Sequence, residues 1–488
     1  MLRLQDRPLG RLHFVGIGGA GMSAIALVAM ELGVKVTGSD VALSDGTERV
    51  RRRGATVYAG HQAGSVGDAD AVVVSTAIAK DNPEVVEARR RGIPVLHRAE
   101  MLAVIMERKK GIAISGTHGK TTTTSMAAVA FERAGCRPTW VVGGVVRDLG
   151  SGAAYGEGEY LIAEADESDA SFLHLRPFVT VATNIDNDHL DHYGTFDRIV
   201  SAFEDFLGRT RPDGFSVLCA DDPHLADLAS RLPGRLVTYS VAEPAEGGGA
   251  SVAPATPGVH YQVTDCRVEG WGSSFRVWRA GLPMGEFTLG IPGRHNISNA
   301  TAVIALGTEL GLPSTAMASA LATFRGAGRR LERMGRAGGV EVVDDYAHHP
   351  TEIATTLRTV KGLVAGGRVI AVFQPHRFTR TRDLYQDFGQ AFGDADVVVL
   401  TDIYPANEKP IPGVTGELIG RHFVRRPGQI VDYVPDLEAV PGYLASRVRP
   451  DDLVLTMGAG NVRQAGDALL RLLADPTGKP VTTFPNPA

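Results

Sequence analysis

The chain has 488 residues, a length that calls for two to four domains and excludes a small binding module. Fifty basic against fifty-five acidic side chains give a formal charge of −5, so nothing favours a nucleic-acid or membrane-surface partner, and small solutes are the expected ligands. Glycine, at 58 residues, is about 12% of the chain against a usual ~7%, while 44% of residues are hydrophobic; the excess points to glycine-shaped loops in a globular α/β protein.

Arg3, Arg7 and Arg11 followed by an uncharged stretch over 12–30 imitate a signal peptide, but four glycines break the apolar run and Asp6 spoils the basic segment. Short apolar runs at 12–15, 35–37, 71–75 and 93–96, separated by helix-like segments, predict βαβ units and a parallel sheet. A charged connector at Lys109 and Lys110 leads to a new strand at 111–115, a Gly-Thr turn and a helix through Arg133, with further strands at 139–142, 160–163, 179–183 and 216–219. From 242 to 258 the composition collapses to Ala, Pro, Gly and Glu, which reads as a mobile surface loop. Rough period-two alternation over 259–289 predicts antiparallel strands, and 296–310 a helix. A third run of parallel-type strands falls at 340–343, 369–373, 397–401, 430–434 and 453–456, and the tail from Pro476 reads as frayed. The expected architecture is therefore three α/β domains, 1–108, 109–324 and 325–488: a Rossmann-like N-terminal domain, a P-loop-type central domain with added antiparallel strands, and a Rossmann-like C-terminal domain. Cys136, Cys219 and Cys266 are too few and too scattered for a disulfide framework or a CxxC metal site, and a reducing cytoplasm is the default.

Two glycine loops carry the first chemical signal. Gly16-Ile17-Gly18-Gly19-Ala20-Gly21 lies between a strand and a helix, with Asp40 after the second strand. Glycines let backbone N–H groups at a helix N-terminus approach a pyrophosphate, and the acidic residue can meet a ribose hydroxyl. Tight strand-to-helix packing explains the same glycines, and the motif does not separate a dinucleotide from a UDP-linked ligand. The second loop, Gly116-Thr117-His118-Gly119-Lys120-Thr121-Thr122, can cradle phosphates, with Lys120 on the β/γ oxygens and the Thr121 hydroxyl on Mg²⁺. It is two residues shorter than the common Gx₄GK[ST] spacing, because Ile114 stands where that pattern has glycine.

Glu164, Asp166, Glu167 and Asp169 follow one apolar run, and Asn184 through His192 another; carboxylates and imidazoles at strand ends lie where open α/β sheets hold ligands. Carboxylate oxygens favour Mg²⁺, although His189 and His192 also admit a zinc hydrolase, and solvated loop charges are the plain reading. Later, Arg329 and Arg330, Asp344 through His349, and His376 through Arg380 each follow a strand or a domain junction and suit an anionic substrate. Gly458-Ala459-Gly460 is either a further anion-binding turn or strand-to-helix packing.

Taken in chain order, the segments 16–23, 116–124, 164–169, 184–193, 295–300, 344–350 and 376–380 closely resemble the Mur ligases across nearly the whole sequence. The resemblance implies ATP-dependent ligation through an acyl phosphate, with ATP and Mg²⁺ as cofactors and UDP-N-acetylmuramate and L-alanine as small-molecule substrates in peptidoglycan precursor synthesis. A sibling that reattaches a recycled tripeptide to the same UDP-sugar is the alternative, and an NAD-dependent dehydrogenase, which would use the first loop alone, the remoter one. The family pattern assigns the UDP part of the substrate to the first domain, through Gly16, Gly18, Gly19, Gly21, Met22, Ser23, Asp40 and Ser75. It assigns ATP to Gly116, Thr117, His118, Gly119, Lys120, Thr121 and Thr122, with Asn299 on adenine, Asn296 supporting it, Arg330 on the γ-phosphate and Asp345 on the ribose. Thr121, Glu164 and His189 are the implied metal ligands, with Glu167 in reserve, and Lys120, His189 and Arg330 the implied catalytic groups. Tyr346, His348, His376, Arg377 and Arg380 line the implied amino-acid and muramoyl site, over which the third domain closes. Some siblings carry a carbamoylated lysine about fifteen residues after the metal histidine; here that spacing falls on Glu204, so no such modification is expected.

Overall fold

A computed structural model describes residues 2–4, 7–241, 258–364, 366–406 and 408–474. The low-complexity segment, but for Gly258, and the tail from Pro476 lie outside them. The chain divides into two compact units: 1–266 with 274–289 and 296–325, and 267–273 with 290–295 and 326–488.

The first unit holds a five-stranded sheet in the order Thr56–Ala59, Lys35–Asp40, Arg11–Val15, Ala71–Val74, Val95–His97, parallel throughout. Its central strand buries every residue after Arg11, as a strand covered on both faces must. The order reverses between Arg11–Val15 and Ala71–Val74, so a crevice opens beyond their carboxyl ends, where Gly16–Gly21 and Ser75 emerge. The signal-like opening holds two antiparallel strands, Leu2–Leu4 against Arg7–Leu9, and the uncharged stretch after it is a strand, the glycine loop and the helix Ala20–Glu31.

The same unit carries a ten-stranded sheet in the order Ser151–Ala154, Thr139–Val146, Tyr160–Glu164, Lys110–Ser115, Val179–Ala182, Phe215–Cys219, Leu236–Val241, Tyr261–Glu269, Gly272–Arg279, Leu282–Leu289. From Thr139–Val146 to Tyr261–Glu269 every pairing is parallel, which brings Ser115, Glu164 and Ala182 to one end of the sheet. The last three strands are joined by two-residue turns at Gly270 and Gly281, both with positive φ, which only antiparallel neighbours allow. Tyr261–Glu269 nevertheless runs parallel to Leu236–Val241, a strand that the sequence pattern missed because it abuts the Ala/Pro/Gly-rich segment.

In the second unit the sheet order is Glu332–Ala337, Val340–Asp345, Leu453–Met457, Val369–Phe373, Val397–Leu400, Ile430–Tyr433. All pairings are parallel except the first. That antiparallel edge, ERMGRA, has two arginines, a glutamate and a glycine, and only tertiary pairing makes it a strand. Phe373, Phe388, Phe392, Leu357 and Leu455 are fully buried on one face of the sheet.

The three cysteines form no disulfide among the described residues. Among the described residues no helix is long and apolar enough to cross a membrane.

Candidate active site

The buried strand Lys110–Ser115 ends at Gly116, whose φ of +132° disfavours any other residue, and Gly119 caps the helix Lys120–Arg133 in the left-handed region. Between them the loop is clamped from the neighbouring strand's end. Asn184 Oδ1 accepts from the His118 N–H at 2.8 Å, while the Thr183 hydroxyl donates to the His118 carbonyl at 2.6 Å. The Asp186 N–H donates to Thr117 Oγ1 at 2.9 Å, and Asp186 Oδ2 lies 2.8 Å from His118 Nε2. Gly119 leaves room for Asn299, since a Cβ there would stand 2.6 Å from its Oδ1. Asn296 and Asn299 are both buried on the helix Arg294–Glu309, their amides 3.4 Å apart.

Lys120 Nζ donates to the Gly116 and Thr117 carbonyls at 2.8 and 3.0 Å and to Glu167 Oε1 at 2.7 Å. Burial pulls its pKa down, but Glu167, Asp166 and Glu164 together outweigh it and hold the ammonium above its ordinary value. Glu167, only 1% exposed, is pushed up to about 7 by burial. Its Oε2 has no hydrogen-bond partner among the described residues, and an unmatched buried acceptor calls for an explanation. His189 takes a left-handed φ of +60°, with Nε2 3.7 Å from Glu167 Oε1 and 3.5 Å from Asp188 Oδ2.

Thr121 and Glu164 face each other: the hydroxyl lies 3.1 Å from both carboxylate oxygens, and the Gly143 N–H donates to Oε2 at 2.9 Å. Adjacent oxygens around an octahedral Mg²⁺ with ~2.1 Å bonds stand about 3 Å apart, so this hydroxyl–carboxylate pair fits that ion in both spacing and donor type. His192, by contrast, is exposed and edge-on to Tyr193, and no His/Cys/Asp/Glu group among the described residues joins it to His189 as a zinc pair would require. Glu204 pairs with Arg231 at 3.1 Å on an exposed face, so the carboxylates flanking His189 are Glu167 and Asp188.

The first glycine loop divides its labour. Gly18 is a packing glycine: a Cβ would come within 2.7–2.9 Å of Ser44, Thr47 and Asp40. Asp40 spends Oδ2 on the Gly18 N–H at 2.8 Å and thereby shapes the loop. Gly16 turns the chain with φ +76°, and Ser23 is buried. Gly19, Ala20, Gly21 and Met22 line a cavity of about 280 Å³ with Ser75, Arg98, Glu164 and Asp166. One cavity thus joins residues of the first loop to Glu164. Arg98 and Asp166 in its wall form an ion pair at 2.6 Å. Burial acts to raise the Asp166 pKa, but Arg98 and Lys120 outweigh it and hold the carboxylate down at about 2. Motif reading missed Arg98, although the position just after a parallel strand's carboxyl end was a usable signal.

The two arginines at 329 and 330 differ. Arg329, at φ +57°, donates to Asp344 at 2.9 Å and to the carbonyls of Gly458 and Gly460 at 2.7 and 3.0 Å, so it fastens the sheet's end, and the Gly458–Gly460 turn serves the fold. Arg330 stacks over Tyr346 at 5.2 Å and lies 3.5 Å from Glu352. Asp345 is buried and pushed up to about 6; each of its oxygens accepts from a backbone N–H, of Leu331 at 2.7 Å and Ala347 at 2.8 Å. Tyr346, His348, His376 and Tyr404 form a run of aromatic rings at 5.3–5.9 Å. Burial, then Arg380 and Arg377, lower the His376 pKa to about 4. Arg377 begins the helix Phe378–Ala391 at a strained φ of +72°.

Residues 11–110 match the Mur ligase family catalytic domain, 114–307 the Mur ligase middle domain, and 329–460 the Mur ligase glutamate ligase domain. The chain is 46% identical over 464 residues to the UDP-N-acetylmuramate–L-alanine ligase of Pelotomaculum thermopropionicum, covering 95% of this chain and 98% of the relative. It is 47% identical over 466 residues to the ligase of the same name from Geobacter sulfurreducens, with the same coverage. Among solved structures, the UDP-N-acetylmuramate-alanine ligase of Thermotoga maritima superposes with a TM-score of 0.79 at 30% identity, covering 95% of this chain and 98% of that one. A murein peptide ligase from Psychrobacter arcticus shares the fold, with a TM-score of 0.69 at 23% identity, over 96% of this chain and 99% of its own. Three family domains in order, together with near full-length identity, make this chain a member of the Mur ligase family.

Proposed function

We propose that the protein joins L-alanine to the lactyl carboxylate of UDP-N-acetylmuramate at the expense of ATP, giving UDP-N-acetylmuramoyl-L-alanine, ADP and phosphate in the cytoplasm. The observation that carries the reading is the cavity whose wall runs from Gly19–Met22 to Glu164, because the reaction needs a sugar nucleotide and an ATP site within reach of each other. The choice of L-alanine is supported by the 46–47% identity to relatives of that activity.

In the first step a lactyl oxygen attacks the γ-phosphorus, the bond to the bridging oxygen breaks and ADP leaves. In the second the alanine nitrogen attacks the acyl carbon, phosphate leaves and the nitrogen loses its proton. Two anions must meet in the first step, and Lys120, held protonated among three carboxylates, offsets their repulsion. A magnesium ion held by Thr121 and Glu164 would neutralise phosphate charge, with His189 and Glu167 the donors for a neighbouring ion. Clamped by Thr183 and Asn184, the Gly116–Gly119 backbone presents its loop without reorganisation. Asn299, buried against Gly119, is the amide assigned to adenine, and Asn296 supports it. Arg330 is assigned to the γ-phosphate and Asp345 to the ribose; Tyr346, His348, His376, Arg377 and Arg380 are assigned to the amino acid and the muramoyl end. The domain division at 108 and 324 follows the same assignment: sugar nucleotide, ATP, amino acid.

The test is ADP release with UDP-N-acetylmuramate and, in turn, L-alanine, glycine, D-glutamate and the tripeptide. Turnover that depends on L-alanine is expected. Turnover with the tripeptide alone would move the protein to the recycling reaction, and phosphate release indifferent to any amino acid would overturn ligation.

A further inference from the structure

Arg98 opens the helix Arg98–Met106 directly after the strand Val95–His97. Its Nη2 is 2.6 Å from Asp166 Oδ2, and its Nη1 lies 3.5 Å from where a Cβ on Gly21 would stand. It therefore spans the gap between the first glycine loop and the acidic cluster. The cavity lining among the described residues carries two carboxylates, Glu164 and Asp166, and one cation, Arg98. The rest of that wall is uncharged, and part of it is the first turn of the helix Ala20–Glu31, which has neither a side-chain cap nor an acidic residue. A diphosphate entering this cavity would be repelled by both carboxylates unless a guanidinium stood between them.

Resting on the proposed use of UDP-N-acetylmuramate, we infer that Arg98 positions the diphosphate of the sugar nucleotide and exchanges Asp166 for it on binding. The exchange is physically modest. The Arg98 and Asp166 side chains are 23% and 30% exposed, so the pair sits on the cavity wall and can open without baring a core. Asp166 is not stranded when it lets go, because Oδ1 already accepts from the Ser168 N–H at 3.0 Å and Lys120 acts on its charge. Arg98 gains, since its planar fork can bridge two phosphoryl oxygens at once. Asp166 in turn turns its charge from the sugar-nucleotide side to Lys120, so the filled cavity and the ATP loop are linked through one carboxylate.

The test is calorimetric titration of the full chain with UDP-N-acetylmuramate, UDP and UMP, alongside thermal unfolding. Arg98→Ala is expected to weaken UDP-N-acetylmuramate and UDP by ~10- to 100-fold, and UMP by less, with a thermal midpoint within about 4 °C of wild type as evidence of an intact fold. Arg98→Lys, which keeps charge but not the fork, should fall between. Asp166→Asn should tighten UDP severalfold, because the competing carboxylate charge is gone; a purely structural ion pair predicts that it weakens UDP as Arg98→Ala does, and that result would overturn the exchange. Equal loss for UMP and UDP in Arg98→Ala would overturn the diphosphate assignment. If the wild type itself binds no UDP-N-acetylmuramate, the underlying reading fails; if it binds and Arg98→Ala binds as well, only this inference does.

Discussion

Gly116→Ala isolates what the ATP loop demands of its backbone. A Cβ at 116 would stand 2.0 Å from Thr183 Oγ1 and 3.1 and 3.2 Å from the backbone nitrogens of Thr183 and Asn184. The φ of +132° adds a conformational cost of about 1–3 kcal/mol for alanine. The Thr183 hydroxyl must also move, which surrenders its bonds to the His118 carbonyl at 2.6 Å and the Ser115 carbonyl at 3.3 Å, a further ~1–2 kcal/mol. The sum, about 2–5 kcal/mol, should leave the protein folded while displacing the loop. Chemical denaturation and the KM for ATP measure both consequences, and ATP affinity is expected to fall at least tenfold. Thr183→Ala removes the obstructing oxygen while the His118 carbonyl keeps the Asn184 amide at 3.1 Å. The double variant should therefore be ~1–2 kcal/mol more stable than the sum of the single changes predicts. Strict additivity, or a Gly116→Ala protein within about 0.5 kcal/mol of wild type, would refute the steric argument.

Lys120→Ala should reduce alanine-dependent ADP release by ~10²- to 10³-fold with a smaller effect on folding, and near-normal turnover would exclude the phosphoryl-transfer mechanism. Thr121→Val keeps shape but removes the hydroxyl beside Glu164, so the Mg²⁺ concentration for half-maximal activity should rise ~10-fold; an unchanged Mg²⁺ titration would remove Thr121 from the metal site. His376 is lowered from an ordinary 6.5 to about 4, so the fold prefers its neutral form. Its contribution is complete above pH 6.5 and is lost as pH falls from there towards 4, on the order of 2 kcal/mol after allowance for partial exposure. Urea midpoints at pH 7.5 and 4.5 should differ less in His376→Gln than in wild type, and an equal difference would dismiss the assignment.

Much of this was legible because strand-to-helix turns advertise themselves. Gly116 and Gly119 punctuate a buried strand and a helix, and the structure puts positive φ at both. The acidic runs after residues 163 and 183 likewise emerge where parallel strands end side by side. Sequence pattern could not separate glycines that leave space for a ligand from those that leave space for the protein. Gly18 and Gly19 are neighbours, yet one is filled by Ser44, Thr47 and Asp40 while the other lines the cavity. The same limit applies to Arg329 and Arg330, where one guanidinium is consumed by Asp344 and two carbonyls.

Glu167 shows why the acidic cluster is more than a set of metal ligands. A carboxylate with 1% exposure, one oxygen on Lys120 and the other unmatched, is costly to keep ionised, and burial raises it to about 7 accordingly. The lysine beside it remains charged because Glu167, with Asp166 and Glu164 behind it, outweighs the cost of its burial. Any cation reaching Glu164 weakens that support, and any anion reaching Lys120 replaces it, so metal and phosphate each make the other's arrival easier. A site balanced in this way binds nucleotide and metal as a pair, and separate titrations of ATP and Mg²⁺ should each show weaker binding than either does in the presence of the other.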